Sequence, residues 1–316
     1  MNRWNYVLTR LLQAIPTFFI IMFLVFMLVR LLPGDPASAI LGDRATEEAV
    51  ARINAQMGLD KPLLVQFGYF IRNFFQGQLG DSISYKVPVT TLIRQRLPVT
   101  IFLTLYAAVI AVVIAVPLAF IAALRQGSWL DNTIRAIFQV GLSLPVFYVG
   151  LLLLTVLGAQ LNLFPIGGYG ETFLDHIYYL FLPALALGFG LAAILMRNLR
   201  AAIIEVLTAE YIDFARAKGL RSRIILSKHV LRNALISTVT LLGLNIGALF
   251  GGAVITETVF AIPGVGRLMV DAIYGRDYAV IQAMTLTFAI LVFIVFLITD
   301  LVAGSLAHLA DPRQRI

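Results

Sequence analysis

Six long apolar runs set the limits on what this chain can fold into. They lie near 11–32, 98–124, 137–157, 179–196, 235–255 and 278–301. A helix needs roughly 20 predominantly apolar residues to cross the hydrocarbon core of a bilayer. Of the 316 residues 60% are apolar and only 13% are charged, so an ordinary water-soluble domain is excluded. The runs predict an all-α membrane protein with six transmembrane helices.

The first run is predicted to remain in the protein as an uncleaved membrane anchor. Ala37-Ser38-Ala39 resembles a signal-peptidase site. However, a run of about 22 apolar residues is too long for the apolar region of a signal peptide.

The distribution of Lys and Arg orients the predicted helices in the bilayer. Arg3 and Arg10 precede the first run, and Arg125 and Arg135 bracket the loop after the second. The loop 197–232 carries eight basic residues against three acidic ones. Short loops rich in Lys and Arg stay in the cytoplasm, so both termini are predicted to be cytoplasmic. The net charge of +7 then reflects orientation in the lipid bilayer, and no nucleic acid partner is expected.

Residues 33–97 form the longest polar section and are predicted to lie outside the membrane. Two amphipathic helices are expected there, one following Thr46 and one following Pro62 that ends at Gly77. Their apolar faces are expected to pack on the spans or to rest on the bilayer surface, and a cap over a pathway is the alternative that the sequence leaves open. The predicted divisions are the N-terminus and first transmembrane helix at 1–32, a periplasmic helical insertion at 33–97, and a core of five transmembrane helices at 98–316.

The sequence offers little that would support chemistry on a substrate. It contains no Cys, no Gly-x-x-x-x-Gly-Lys-Ser/Thr phosphate loop and no His-Glu-x-x-His motif. His176 has no well-spaced ligand partner and is predicted to lie at the membrane interface. We therefore predict a non-enzymatic protein with no catalytic, cofactor-binding or metal-binding residue, so any ATP must be bound by another chain.

The fifth run combines small residues with one polar residue. Gly243, Gly247 and Gly251 recur every four residues, a spacing that lets helix backbones approach closely in a membrane. Asn245 lies between them. It either hydrogen-bonds a neighbouring helix or lines a polar translocation pathway.

A short helix is predicted over 209–218, inside the basic loop. Thr208 is expected to cap its N-terminus, and Gly219 to end it in the left-handed conformation. Leu207, Tyr211, Phe214 and Ala215 are predicted to share an apolar face. Such a helix, outside the membrane between two spans, is suited to a groove on a soluble partner. The alternative is a solvated loop in which the helix is incidental.

The loop 197–232 resembles the EAA loop of permease subunits of bacterial ABC importers. In that pattern Glu-Ala-Ala is followed after three residues by Gly, and after nine more by Ile-x-Leu-Pro. Here Asp213-Phe214-Ala215, Gly219 and His229-Val230-Leu231-Arg232 stand at these positions. Ala215, Gly219 and Leu231 match literally, and the other positions depart from the pattern.

Further blocks resemble the dipeptide/oligopeptide permease family, in its N-terminal-type membrane subunit. They occur in family order along nearly the whole chain: RLLPGDPA (30–37), GLDKPLLVQF (58–67), FARAKGL (214–220), RNALI (232–236), ETVFAIPGVGRL (257–268) and DPR (311–313). Ser237, directly after RNALI, stands where many relatives have Pro.

The resemblance implies a type I ABC importer permease fold in the bacterial inner membrane. It also implies several partners: a second homologous permease subunit that completes a heterodimer, two cytoplasmic ATPase subunits that bind ATP and Mg²⁺, and a periplasmic or extracytoplasmic solute-binding protein. The helix 209–218 would be the coupling helix that contacts an ATPase. The residues implied in this contact are Glu210, Tyr211, Asp213, Phe214, Ala215, Arg216, Ala217, Lys218 and Gly219.

The resemblance leaves the solute open. The family imports dipeptides, oligopeptides and related compounds such as glutathione, opines, nickel chelates and some sugars. An ion-coupled secondary transporter is the alternative, but it would need acidic or His side chains deep in the spans. Asp300 and Glu257 instead lie near predicted span ends. A purely structural membrane scaffold would leave the predicted coupling helix unexplained.

Overall fold

The computed structural model describes residues 3–31, 46–48 and 61–310, and this part of the chain is almost entirely helical. The helix predicted to follow Thr46 lies mostly outside these ranges, as does the terminal DPR block. The helices are α1 Arg3–Leu31, α2 Leu63–Phe75, α3 Val89–Leu124, α4 Trp129–Ser143, α5 Val146–Leu153, α6 Phe173–Leu207, α7 Glu210–Ala217, α8 Ser222–Ile224, α9 Arg232–Val259, α10 Val265–Tyr274 and α11 Tyr278–Ala310. Leu154–Gln160 and Ile225–Leu231 are π-helical.

Among the described residues, five helices are long and apolar enough to cross a bilayer: α1, α3, α6, α9 and α11. A sixth crossing results if α4 and the helix Val146–Gln160 count together as one bent span. The structure therefore confirms an all-α membrane protein. Its third apolar run forms two helices at an angle to each other instead of one straight span.

The third predicted span, 137–157, is broken at Pro145. The two helices that replace it meet at 106°. Leu144 is extended at ψ 133°, and Pro145, at φ −60°, is the N-cap of the second helix. Proline has no N–H to donate to the preceding turn, and it disfavours helical backbone at the residue before it. Pro145 therefore interrupts the third predicted span completely, so that two separate helices take its place.

The chain divides into two compact units. The first comprises Met1–Arg10, Ile101–Ile262 and Val292–Ile316. In it α6 is the most buried of the five long apolar helices and packs against α4, α5 and α9. Arg10 and Asp300 form an ion pair at 3.4 Å near the two ends of the chain. The N-terminal part of α1 therefore lies beside the C-terminal part of α11, as expected when both termini lie on one side.

Glycines bring α9 and α11 together within this unit. A Cβ at Gly243 would overlap the Thr299 side chain, and a Cβ at Gly247 would lie 3.3 Å from the Phe296 ring. Gly251 has no atom within 4 Å of such a Cβ. The predicted close approach is therefore confirmed at Gly243 and Gly247, whereas Gly251 lies outside the contact.

The second unit comprises Leu11–Thr100 and Pro263–Leu291. Phe67, Phe70 and Phe74 of α2 pack around a buried cluster that contains Met22 and Val25 of α1. Gly77 ends this amphipathic helix at φ +71°, as predicted. These three rings of its apolar face are therefore partly covered by the protein, although no residue of α2 is fully buried. Elsewhere in the unit, Val89 and Leu92 of α3 pack with Val265 and Leu268 of α10.

Candidate coupling site

The helix α6 is much longer than the span predicted from its apolar run. It has 35 residues, which makes it about 52 Å long against a hydrocarbon core of about 30 Å. Residues 197–207 remain helical and extend about 16 Å beyond the predicted span 179–196. Leu199 and Ile203 are fully buried on this extension. The chain therefore reaches its candidate docking helix along a continuous, packed helical arm.

The predicted N-cap of the docking helix, Thr208, is wrong. Ala209 is the residue that precedes the first turn of α7. Thr208 has the near-helical backbone of an α6 end, at φ −93° and ψ 0°. Its hydroxyl donates back to the carbonyl oxygens of Ile204 and Glu205, at 3.2 and 2.9 Å. Because α6 continues to Leu207, Thr208 ends one helix and cannot begin the next.

The predicted end of the docking helix at Gly219 is confirmed. Gly219 has φ +75°. Its N–H donates to the Arg216 carbonyl at 2.9 Å, and the Leu220 N–H donates to the Ala215 carbonyl at 3.2 Å. These two bonds form a Schellman motif, which satisfies the last carbonyls of a helix and needs a left-handed residue. The short helix therefore has a defined end and direction.

The prediction that Tyr211, Phe214 and Ala215 share one apolar face of α7 is wrong. Ile212 and Ala215 are buried, and α7 packs against the π-helical segment Ile225–Leu231. Tyr211 is 44% exposed and Phe214 is 69% exposed. Ile212 and Ala215 are three residues apart and share one side of the helix. The large aromatic rings therefore lie on an outward face, which we call the aromatic face, and Ala215 lies on the inward one.

Charged residues surround the aromatic face. Asp213 and Arg216 form an exposed ion pair at 3.1 Å. Both signs of charge are therefore present beside the rings. The other exposed members of the predicted contact set are Glu210, Ala217, Lys218 and Gly219.

A buried ion pair lies where the extension of α6 beyond its predicted span meets α4. Asp131 has no exposed surface. Its Oδ1 accepts a hydrogen bond from Arg200 Nε at 2.7 Å, and its Oδ2 accepts one from Arg200 Nη2 at 2.6 Å. The Gly127 N–H also donates to Oδ2, at 2.9 Å. Sequence reasoning missed this pair, although the pattern Ser128-x-x-Asp131 before an apolar run is a signal for a helix start.

Among the described residues, the hydrogen bond of the Asn245 side chain lies within its own helix. Its Nδ2 donates at 2.8 Å to the Leu241 carbonyl of its own helix. The side chain is partly buried. Its other predicted role, in a translocation pathway, stays a prediction.

Comparison with known proteins places this geometry in a family. Residues 115–312 match the family described as binding-protein-dependent transport system inner membrane component. Residues 3–104 match the N-terminal family of the same membrane components. Together the two matches span nearly the whole chain.

Individual relatives and structures agree with the family match. The chain is 40% identical over 302 residues to the glutathione transport system permease protein GsiC of Pectobacterium atrosepticum, and equally to that of Escherichia coli K12. Each alignment covers 96% of this chain and 97% of the relative. An inward-facing structure of the MetNI methionine ABC transporter matches with a TM-score of 0.58 at 20% identity. It covers 68% of this chain and 96% of the matched chain, and at this identity it supports the fold alone.

The fold and the family matches define a multi-pass inner-membrane permease subunit of an ABC importer, with the type I importer fold. The chain belongs to the binding-protein-dependent transport system inner membrane component family. The resemblance to the dipeptide/oligopeptide permeases is thereby confirmed. A permease subunit of this class is not itself a catalyst.

Proposed function

We propose that this chain is one of two permease subunits of an ATP-driven importer, and that α7 docks on a cytoplasmic ATPase. The observation that carries the proposal is the exposed aromatic face of α7. Tyr211 and Phe214 face outward from a helix with a defined end, at the tip of an arm about 16 Å beyond the apolar part of α6. Exposed aromatic rings in a polar setting are typical of protein interfaces.

The proposed importer contains several other chains. A second homologous permease would complete a heterodimer in the bilayer, and two cytoplasmic ATPases would bind ATP and Mg²⁺. A solute-binding protein would deliver the solute on the outer side, as the family description "binding-protein-dependent" supports. No nucleotide would bind to this chain itself.

Alternating access would follow if each nucleotide state of the ATPases favours one conformation of the membrane-spanning helices. ATP closes the ATPase pair, α7 moves with the ATPase to which it is bound, and the spans change from inward-open to outward-open. A ligand shifts such an equilibrium only by its differential affinity for the two states. The coupling therefore requires that α7 be firmly attached both to the ATPase and to its own spans.

We propose a peptide or a peptide-like compound such as glutathione as the solute. The support is the 40% identity, over almost the full length, to permeases named for glutathione transport. The test is uptake of labelled glutathione and labelled dipeptides by cells with and without the gene for this chain. Equal uptake of both compounds by the two strains would contradict the proposed solute class.

Substitution of Phe214 by Asp tests the proposed docking. Full burial of a Phe side chain contributes about 1.5–3 kcal/mol, so burial of the 69% now exposed would contribute about 1–2 kcal/mol. The variant loses this contribution and must also desolvate a carboxylate. Since 1.4 kcal/mol is tenfold in affinity, we expect ATPase binding to weaken at least about tenfold. The measurement is recovery of each subunit by mass spectrometry after mild solubilisation and affinity purification.

Two variants serve as controls for this experiment. Phe214→Leu keeps an apolar contact and should retain the ATPases. Ile224→Asp adds the same charge to another exposed apolar position of the loop, outside α7, and should also retain them. Recovery of wild-type amounts of ATPase with Phe214→Asp would contradict docking at α7. Recovery of the wild-type chain without any ATPase would favour the ion-coupled secondary transporter.

A further inference from the structure

The buried Asp131–Arg200 pair joins two segments that are 69 residues apart in sequence. Asp131 lies in the first turn of α4, after the N-cap Ser128, whose hydroxyl accepts from the Asp131 N–H at 3.3 Å. Arg200 lies on the part of α6 that extends toward α7. The pair is thus a direct connection between the arm of the proposed coupling helix and the first half of the broken span.

The geometry of the pair fixes the relative orientation of the two side chains as well as the distance between them. Nε and Nη2 of the Arg200 guanidinium bond to the two oxygens of one carboxylate, at 2.7 and 2.6 Å. Such a two-pronged contact holds both groups in one plane, which a single contact does not. Asp131 is fixed in turn by the Gly127 N–H at 2.9 Å. Rotation or sliding of α6 relative to α4 would therefore break two charged hydrogen bonds or carry α4 with it.

Stability alone does not explain an ion pair at this position. Asp131 has no exposed surface, and the Arg200 side chain is only 17% exposed. Replacement of a buried ion pair by apolar residues of similar volume is often neutral or stabilising, because both charges must be desolvated. What the pair adds over an apolar contact is a fixed mutual orientation of the two helices.

The connections on either side of the pair are also firm. From Arg200 the helix continues to Leu207, and the Thr208 hydroxyl bonds back to the last turn before α7 begins. On the other side, Asp131 lies in the first turn of α4, which leads directly to the break at Pro145. A displacement of α7 thus has a continuous hydrogen-bonded route into the broken span.

We infer that Asp131 and Arg200 are positioning residues that transmit movement of α7 to α4 and so couple ATP hydrolysis to solute transport. The inference rests on the proposed docking of α7 on an ATPase. It adds a role for residues that contact neither the ATPase nor the solute. Loss of the pair should therefore leave the ATPases attached and active, while less solute is moved for each ATP hydrolysed.

The test uses the whole importer, purified and reconstituted in liposomes with its binding protein. The measured quantities are ATP hydrolysed, solute imported and the ratio of solute to ATP. Asp131→Asn retains the shape of the side chain but removes its charge. We expect ATPase recovery and hydrolysis within about twofold of wild type, and a ratio of solute to ATP at least about tenfold lower. Arg200→Lys keeps the charge but loses the two-pronged contact, and should give an intermediate ratio.

Arg135→Gln is the matched control. Its Nε lies 3.5 Å from Asp131 Oδ1, but its side chain is 53% exposed, so its removal should leave the ratio unchanged. An assembled Asp131→Asn importer with the wild-type ratio would overturn the inference. So would a failure of both Asp131→Asn and Arg200→Lys to assemble, because the pair would then serve folding alone. Failure of the proposed function itself looks different, since no ATPase would accompany even the wild-type chain.

Discussion

The close approach of α3 to α6 at Gly188 leads to a quantitative prediction. A Cβ built at Gly188 would lie 2.5 Å from the carbonyl oxygen of Ala107, and 3.3 and 3.4 Å from its carbonyl carbon and Cα. Ordinary contacts of a Cβ begin at 3.4 Å. The obstacle is backbone, so no change of rotamer can relieve it. Gly188→Ala must therefore push the two helices apart by roughly 1 Å.

The magnitude follows from comparison with Gly190, which lies on the same helix. No atom lies within 4 Å of a Cβ built there. Both substitutions to Ala gain the same helix propensity, about 1 kcal/mol. Only Gly188→Ala also suffers overpacking, which typically costs about 1–3 kcal/mol. The two variants should therefore differ in free energy of unfolding by about 1–3 kcal/mol, with Gly188→Ala the less stable.

The assay is thermal unfolding of the two purified variants in the same detergent, followed by size-exclusion chromatography of the soluble fraction. One kcal/mol corresponds to roughly 2–4 °C in Tm for a protein of a few hundred residues. We expect Gly188→Ala to lose its sharp elution peak at least about 2 °C below Gly190→Ala. Equal Tm values, or a lower Tm for Gly190→Ala, would refute the argument that backbone contact limits residue 188.

Two further substitutions test local geometry. Gly219→Val forces a β-branched residue to φ +75°. It should weaken ATPase recovery, since the left-handed conformation costs about 1–2 kcal/mol for a side-chain-bearing residue. Gly219→Asn should be nearly neutral, and equal recovery for both variants would contradict this. In the second unit, Asp277→Ala leaves the Ser82 hydroxyl and the Ser84 N–H without their acceptor, now at 2.6 and 3.1 Å. The expected loss is about 1–3 kcal/mol of stability, seen as faster proteolysis of 82–86, whereas the exposed Asp271→Ala should behave as wild type.

Strong local signals explain what the sequence predicted correctly. The apolar runs predicted the membrane helices because the bilayer requires long uninterrupted apolar segments, whatever the neighbouring helices do. Gly219 was recognised because a helix end needs a left-handed residue, which is a property of its own backbone.

The missed features all depend on tertiary contacts. Thr208 and Ser128 are both plausible helix N-caps from sequence. Ser128 is the N-cap of α4, whereas Thr208 lies at the end of α6, because α6 extends as far as Leu207. The buried side of α7 depends on the position of Ile225–Leu231, which places Ile212 inside and Phe214 outside. Asp131 and Arg200 are brought together by the packing of α4 on α6, and nothing in either local sequence indicates the other as its partner.

Because α6 is long, a small tilt of this helix moves its two ends by large distances. If this helix, about 52 Å long, tilts by about 10° around its middle, each end moves by about 4–5 Å, and the two ends move in opposite directions. That amplitude is close to the 5.4 Å pitch of one helical turn. A single tilt can thus narrow one side of the membrane while it widens the other, with every hydrogen bond inside the helix unchanged.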